Sequence, residues 1–185
     1  MDTERIEKAV REILEAIGED PDREGLVRTP ARVAAMYGQI FGGMNIDAAK
    51  YLRVGFDEDH SEMVILKDIP FYSMCEHHLL PFHGTAHIGY IPSGRVVGIS
   101  KLARVVEASA RRPPLQERLT SQIADTVMDT LKTYGVGVVI EAEHLCMTMR
   151  GVQKPGSTVV TAANRGNFLS RPETRKEFMT LIGRD

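Results

Sequence analysis

Only two cysteines, Cys75 and Cys146, occur in 185 residues. That is too few for a disulfide-stapled secreted scaffold. No apolar run approaches the roughly 20 residues that span a bilayer. The opening stretch MDTERIEKAVREILEAIGED is charged throughout and has no signal-peptide apolar core. The expected location is therefore the cytoplasm, where the two thiols stay reduced and a structural disulfide is disfavoured. Neither a P-loop nor a G-x-G-x-x-G pattern is present, and no internal repeat or low-complexity segment interrupts the chain. Net charge is only −2, so nothing pulls the whole molecule toward nucleic acid or a membrane, and neither is an expected partner. What remains is 43% hydrophobic and 26% charged, the balance of an ordinary globular protein. The length suits one domain with a helical extension.

Periodicity divides the chain. Ile6, Val10, Ile13, Leu14 and Ile17 fall at helical spacing over residues 3 to 17, with Gly18 as a stop. A second helix is expected in RTPARVAAMYGQIFGG, capped by Thr29 with Pro30 in its first turn. These form an N-terminal helical part, residues 1–50, before a second unit, residues 51–185. In that unit EMVILKDI and GTAHIGYIP read as strands, RVVGIS as a short extended piece, and Lys101 to Arg111 as a helix. PPLQERLTSQIADTVMDTLKTYG is a long helix between prolines and Gly135, with Leu115, Leu119, Ile123, Val127 and Leu131 on a core-facing stripe. GVGVVIEAEHLCMTM reads as a long strand, STVVTAANRG as its neighbour, and PETRKEFMTLI as a closing helix. The order strand, strand, helix, helix, strand, strand predicts an α+β fold: an antiparallel four-stranded sheet with two helices on one face. Such a sheet has two edges, which oligomerisation could cover.

The decapeptide MCEHHLLPFH, residues 74–83, holds three of the six histidines and one of the two cysteines. Cys75 and His78 have the C-x2-H spacing of a zinc half-site. A third ligand must come from elsewhere, and Cys146 is the other thiol. His144, two residues before it on the expected strand, should share its face. A Cys75, His78, Cys146 set leaves a position for water, the arrangement of catalytic zinc; a fourth ligand, His77 or His144, would make the site structural. In the first case His77 and His144 stand beside the metal as proton carriers. His83 and His87 read as ordinary half-buried residues, and His60 receives no role.

Lys101 and Arg104 share one face at the start of a helix, where a phosphate would also meet free backbone amides. Arg150 and Arg32 are further candidates. The competing reading for each is a solvated surface charge. Glu117, in the first turn of the long helix, is either a partner for the helix dipole or a carboxylate that accepts guanine N1–H and the 2-amino group together.

Three long blocks carry a resemblance. CEHHLLPFHGTAHIGYIP, GISKLARVVEASARRPPLQERLT and EAEHLCMTMRG resemble the signature segments of the GTP cyclohydrolase I family, zinc-dependent enzymes that open folate biosynthesis. RTPARVAAMY and TRKEFMTLI resemble its N-terminal helical motif and closing helix, so the likeness runs through nearly the whole chain in order. Ala162, in TVVTAANRG, departs from the small hydroxyl residue expected there. The resemblance implies zinc on Cys75, His78 and Cys146, and catalytic His77 and His144. It implies that Glu117, with backbone groups near Gln116, holds the base. Lys101, Arg104, Arg150 and Arg32 would face the triphosphate, and Ser100 would be a catalytic residue near the ribose and its later rearrangement. It implies the tunnelling fold, assembled as a homodecamer with sites at subunit interfaces. The implied reaction converts GTP and water to 7,8-dihydroneopterin triphosphate and formate, with zinc-activated water attacking guanine C8 and His144 protonating N7. Two other functions stay open on the residues alone. One is a sibling tunnelling-fold enzyme that reduces a nitrile through a nucleophilic cysteine. The other is a non-catalytic, zinc-stabilised binding module.

Overall fold

The computed structural model describes residues 1–184. Its first helix, α1 (Thr3–Ala16), starts where the Asp2 carboxylate accepts the Arg5 amide. The next, α2 (Thr29–Ile40), does not use the expected Thr29 cap. The Leu26 carbonyl already accepts the Thr29 amide at 2.8 Å, so the preceding turn runs into the helix and Arg28 takes the capping position. The two helices pack mainly on each other, and no residue of α1 is buried.

The main sheet contains β2 (Val64–Met74), β3 (Pro81–Ile91), β5 (Gly135–His144) and β6 (Thr158–Gly166), antiparallel in the order β2-β3-β5-β6. Two short strands, β1 (Phe56–Asp57) and β4 (Arg95–Val96), pair separately. β2 runs further than its alternation suggested. It passes through Pro70, which an edge strand tolerates because one side of it forms no ladder. The register shifts between Leu66 and Ile69, where Asp68 has φ 56°.

Alternate residues of the central strands point to one face: Phe82, Ala86, Ile88 and Tyr90 from β3, Val136, Val138, Ile140 and Ala142 from β5. They bury themselves against α3 (Ile99–Ala110) and α4 (Gln116–Leu131), as the two-helix, one-face pattern requires. The predicted stripe of α4 holds at Leu119, Ile123, Val127 and Leu131, all buried. Its stop does not fall at Gly135. Lys132 adopts the left-handed conformation (φ 53°) and ends the helix, and Gly135 begins β5. A 3-10 turn, Ala48–Leu52, seals the same core with Ala48 and Leu52.

The opposite face carries a smaller cluster that the one-face description omits. The short α6 (Asn167–Ser170) and the closing α7 (Pro172–Leu181) lay Phe168 and Phe178 over Gly89 and Gly137. A Cβ at either glycine would collide with these rings. His87 is fully buried on this face. Its Nδ1 accepts the Asp68 amide at 3.2 Å, and its Nε2 has no hydrogen-bond partner.

β5 corrects one expectation. It ends at His144, and Leu145–Thr148 forms a single helical turn, α5, rather than more strand. The ladder to β3 closes at Phe82↔His144. Beyond it the chain would face Pro81, which has no N–H to give. The backbone therefore turns onto itself, with the Met149 amide on the Leu145 carbonyl.

Candidate metal centre and active site

The β2–β3 connection is a tight loop. The Cys75 amide bonds the Leu80 carbonyl at 2.9 Å, the Leu79 amide returns to the Cys75 carbonyl at 2.9 Å, and Leu79 takes the left-handed conformation (φ 50°). This closure turns Cys75 inward, where it is buried, and brings His78 Nδ1 to 3.9 Å from its sulfur. The helical turn α5 delivers Cys146 to the same place. One donor atom from each of Cys75, His78 and Cys146 lies within 4.8 Å of the other two. The strand-face argument for pairing His144 with Cys146 therefore fails, yet the ligand set it was meant to support converges through the helical turn.

The donor set fits a metal. Both cysteines are free thiols. Burial pushes the Cys146 thiol above its ordinary range, and the charge and hydrogen bond of the adjacent Cys75 push it further, against a weaker pull from Arg150. Two sulfurs in such contact cannot both ionise unless a cation neutralises them. Two thiolates and an imidazole suit zinc, a borderline-soft ion. Arg150 reaches His78, with Nη1 3.3 Å from the ring's Nε2.

His144 stands at the end of β5 over the N-terminus of α4. Its Nε2 is 2.7 Å from Gln116 Oε1. Burial lowers its pKa, opposed by the nearby Glu117 carboxylate. Neither His144 nor His77 belongs to the three-residue metal group. His77 is exposed, with Nε2 3.9 Å from Glu76 Oε1; Glu76 is held in turn by Arg118 at 2.7 Å. The Glu76 amide also meets the Pro114 carbonyl, which ties the loop to the start of α4. Glu117 is exposed in the first turn of α4.

Ser100, Lys101 and Arg104 lie elsewhere in the chain. They sit in the first turns of α3, and Val97, just before that helix, donates its amide to the Tyr90 hydroxyl. Tyr90 is eight residues along β3 from Phe82, the neighbour of His144, a distance of roughly 26 Å along a strand. Arg104 lies over the ring of Tyr51 at 5.9 Å. Arg32 is exposed on α2. One chain thus brings together Cys75, His78, Cys146, His144, Gln116, Glu117 and Arg150, with His77 at the margin, and leaves the other basic candidates apart.

The family model of GTP cyclohydrolase I matches residues 6–183. The chain belongs to the GTP cyclohydrolase I family. Among curated relatives, GTP cyclohydrolase 1 of Dehalococcoides mccartyi is 65% identical over 183 residues, 98% of this chain and 97% of its own. The Carboxydothermus hydrogenoformans protein of the same name is 64% identical over 184 residues, 99% and 96% of the two chains. That of Thermoanaerobacter pseudethanolicus is 59% identical over 183 residues, 98% and 97%. The α+β architecture is that of the family's tunnelling fold.

Sequence reasoning missed the side-chain role of Gln116, the Thr120 and Thr161 hydroxyls around it, and the stacking of Phe82 on His144. Thr161 lies 45 residues from Gln116, and no local pattern announces such a contact. Only the sheet order, which sets β6 beside β5 and under α4, could have suggested it. Among the described residues, no helix is long and apolar enough to cross a membrane.

Proposed function

We propose that this chain hydrolyses GTP to 7,8-dihydroneopterin triphosphate and formate, the entry to folate and pterin biosynthesis, in the cytoplasm. The observation that carries the reading is the convergence of Cys75, His78 and Cys146 beside His144, in a chain matched by the family over residues 6–183. The three residues would hold zinc, which when bound supplies Lewis acidity and lowers the pKa of water to about 7.

The protein's own groups do the rest. His144, whose pKa burial lowers, carries a proton between the attacking water and purine N7. Glu117 accepts N1–H and the 2-amino group of guanine, a donor pair that adenine lacks. The backbone at Gln116 lies at the start of α4, where amides are free to meet the base. His77, at the rim, moves protons at the ribose oxygen during the later rearrangement and ring closure. Arg150 faces the triphosphate.

Ser100, Lys101, Arg104 and Arg32 serve the ribose and triphosphate of a site on a neighbouring copy. Their separation from His144 within one chain supports a site shared between subunits, in keeping with the homodecamer that the resemblance implies. Residues 1–50 form the helical part and residues 51–185 the catalytic domain, with Ala48 and Leu52 in the catalytic core.

A structural zinc site would need His77 or His144 as fourth ligand, and neither belongs to the three-residue metal group. A nucleophilic cysteine needs a thiol free to react, and both cysteines belong to the metal group.

Incubation of zinc-analysed protein with GTP, following formate and pterin fluorescence, tests the proposal. Both products should form from GTP, not from ATP, and a chelator should abolish them. No product from fully zinc-loaded protein would overturn the reading.

A further inference from the structure

Gln116 is 2% exposed, and its side chain makes contacts on both ends of its amide. Nε2 lies 3.1 Å from the Ile140 carbonyl, 2.9 Å from the Val159 carbonyl and 3.1 Å from Thr161 Oγ1. Carbonyl oxygens only accept, so the end facing two of them must be the NH2 group. Flipping the amide would set its oxygen against both.

The orientation is closed off further by hydroxyls. Thr120 Oγ1 donates to the Gln116 backbone carbonyl at 2.7 Å and lies 2.6 Å from Thr161 Oγ1. With the Thr120 proton spent, Thr161 donates to Thr120, and its remaining lone pair meets Gln116 Nε2. Nε2 has two hydrogens for three acceptors, so one is shared, but the amide itself has a single workable orientation.

The last link is His144. Gln116 Oε1 can only accept, so the 2.7 Å contact requires hydrogen on His144 Nε2. In a neutral imidazole the other nitrogen then carries a lone pair. Among the described residues Nδ1 has no hydrogen-bond partner.

We propose that Gln116 is a positioning residue, whose oriented amide fixes His144 in the Nε2–H tautomer and leaves Nδ1 as the ring's free acceptor. This assigns the side chain of Gln116 a different task from the base-holding one implied for the backbone beside it. The effect on turnover rests on the proton-carrying role given to His144 above; the tautomer does not.

The experiment is nitrogen-15 NMR of the histidine rings in zinc-loaded, histidine-labelled full-length protein, with His144→Ala to assign the signals. The resting protein should show His144 protonated on Nε2 and bare on Nδ1. A ring protonated on Nδ1 overturns the proposal whatever the activity. Gln116→Leu and Gln116→Met, two variants so that a folding failure in one does not stop the test, should turn the signal into a tautomer mixture. In the same variants kcat should fall about tenfold or more, the scale of one lost polar contact in a transition state, with KM within about twofold. An unchanged tautomer and kcat, or a raised KM at constant kcat, overturns the positioning role. If instead the tautomer is as stated while His144→Ala retains full turnover, the lock stands and the catalytic reading of His144 falls.

Discussion

Phe82 and His144 lie face to face, with ring centroids 4.5 Å apart and planes 4° from parallel. They are cross-strand partners at the last rung of the β3–β5 ladder. The stack and the Gln116 contact hold the imidazole on two sides: the first sets its plane, the second its rotation within that plane.

Phe82→Leu removes the stacking surface and keeps most of the apolar volume. The expected cost is about 1–2 kcal/mol of stability, from an aromatic contact plus imperfect repacking. Turnover should fall with zinc content unchanged. Denaturant midpoints and metal analysis on one preparation check both. Loss of zinc would mean that Phe82 supports the Cys75 loop instead.

Cys146→Ala should lose zinc and activity together, because it removes one of three donors within 4.8 Å. Metal content per chain and GTP-dependent formate release are the measurements. A variant with full zinc and full turnover would remove Cys146 from the ligand set.

His144→Ala should do the opposite: keep zinc and lose turnover, by a factor of about 100 or more if the ring transfers protons. Zinc loss in this variant would make His144 a ligand and revive the structural-site reading.

Lys101 and Cys146 offer a test of the shared site. Lys101, in α3, lies by the Tyr90 end of β3 and Cys146, in α5, by its Phe82 end, so the proposed site would draw them from two chains. Lys101→Ala and Cys146→Ala should each be nearly inactive alone. Co-expressed, they should assemble some sites that contain neither change and recover a substantial fraction of activity. No recovery in verified mixed oligomers would place both residues in one chain's site.

The parts of the fold legible in the sequence were those with local causes. The α4 stripe, the α+β order and the C-x2-H pair follow from spacing alone. So does the choice of Cys146, since the chain offers one other thiol. The course of the chain after His144 was not legible, because the ladder stops for a reason on another strand, at Pro81. Phe82 on His144, and Thr161 on Gln116, depend on strand order and register, which hydrophobic alternation does not encode. The end of α4 at Lys132 was hidden for a different reason: a lysine there accepts a left-handed conformation that glycine would take more easily. The proposed pairing of Lys101 with the metal centre lies further still from the sequence, since one folded chain keeps them apart.

His87 gives the fold its own acid sensitivity, independent of the active site. It is fully buried, with Nδ1 on the Asp68 amide and Nε2 unpartnered. Burial lowers its pKa; Asp68 and Glu141 pull it up, and Arg184 and Lys67 push it down. In the unfolded chain the ring titrates near 6.5. Between that value and the lower folded one, the unfolded state binds more protons, so stability rises with pH across the window. The contribution is full above about pH 6.5 and is lost as pH falls toward the folded pKa. Protonation would also set a charge near the Arg184–Glu141 ion pair. His87→Asn keeps an acceptor for the Asp68 amide and cannot titrate. Its unfolding free energy, measured from pH 7.5 down to 5, should fall less steeply than that of the unsubstituted protein, whatever the offset between the two curves. Parallel curves would show that His87 takes no proton on unfolding and that the acid sensitivity lies in other groups.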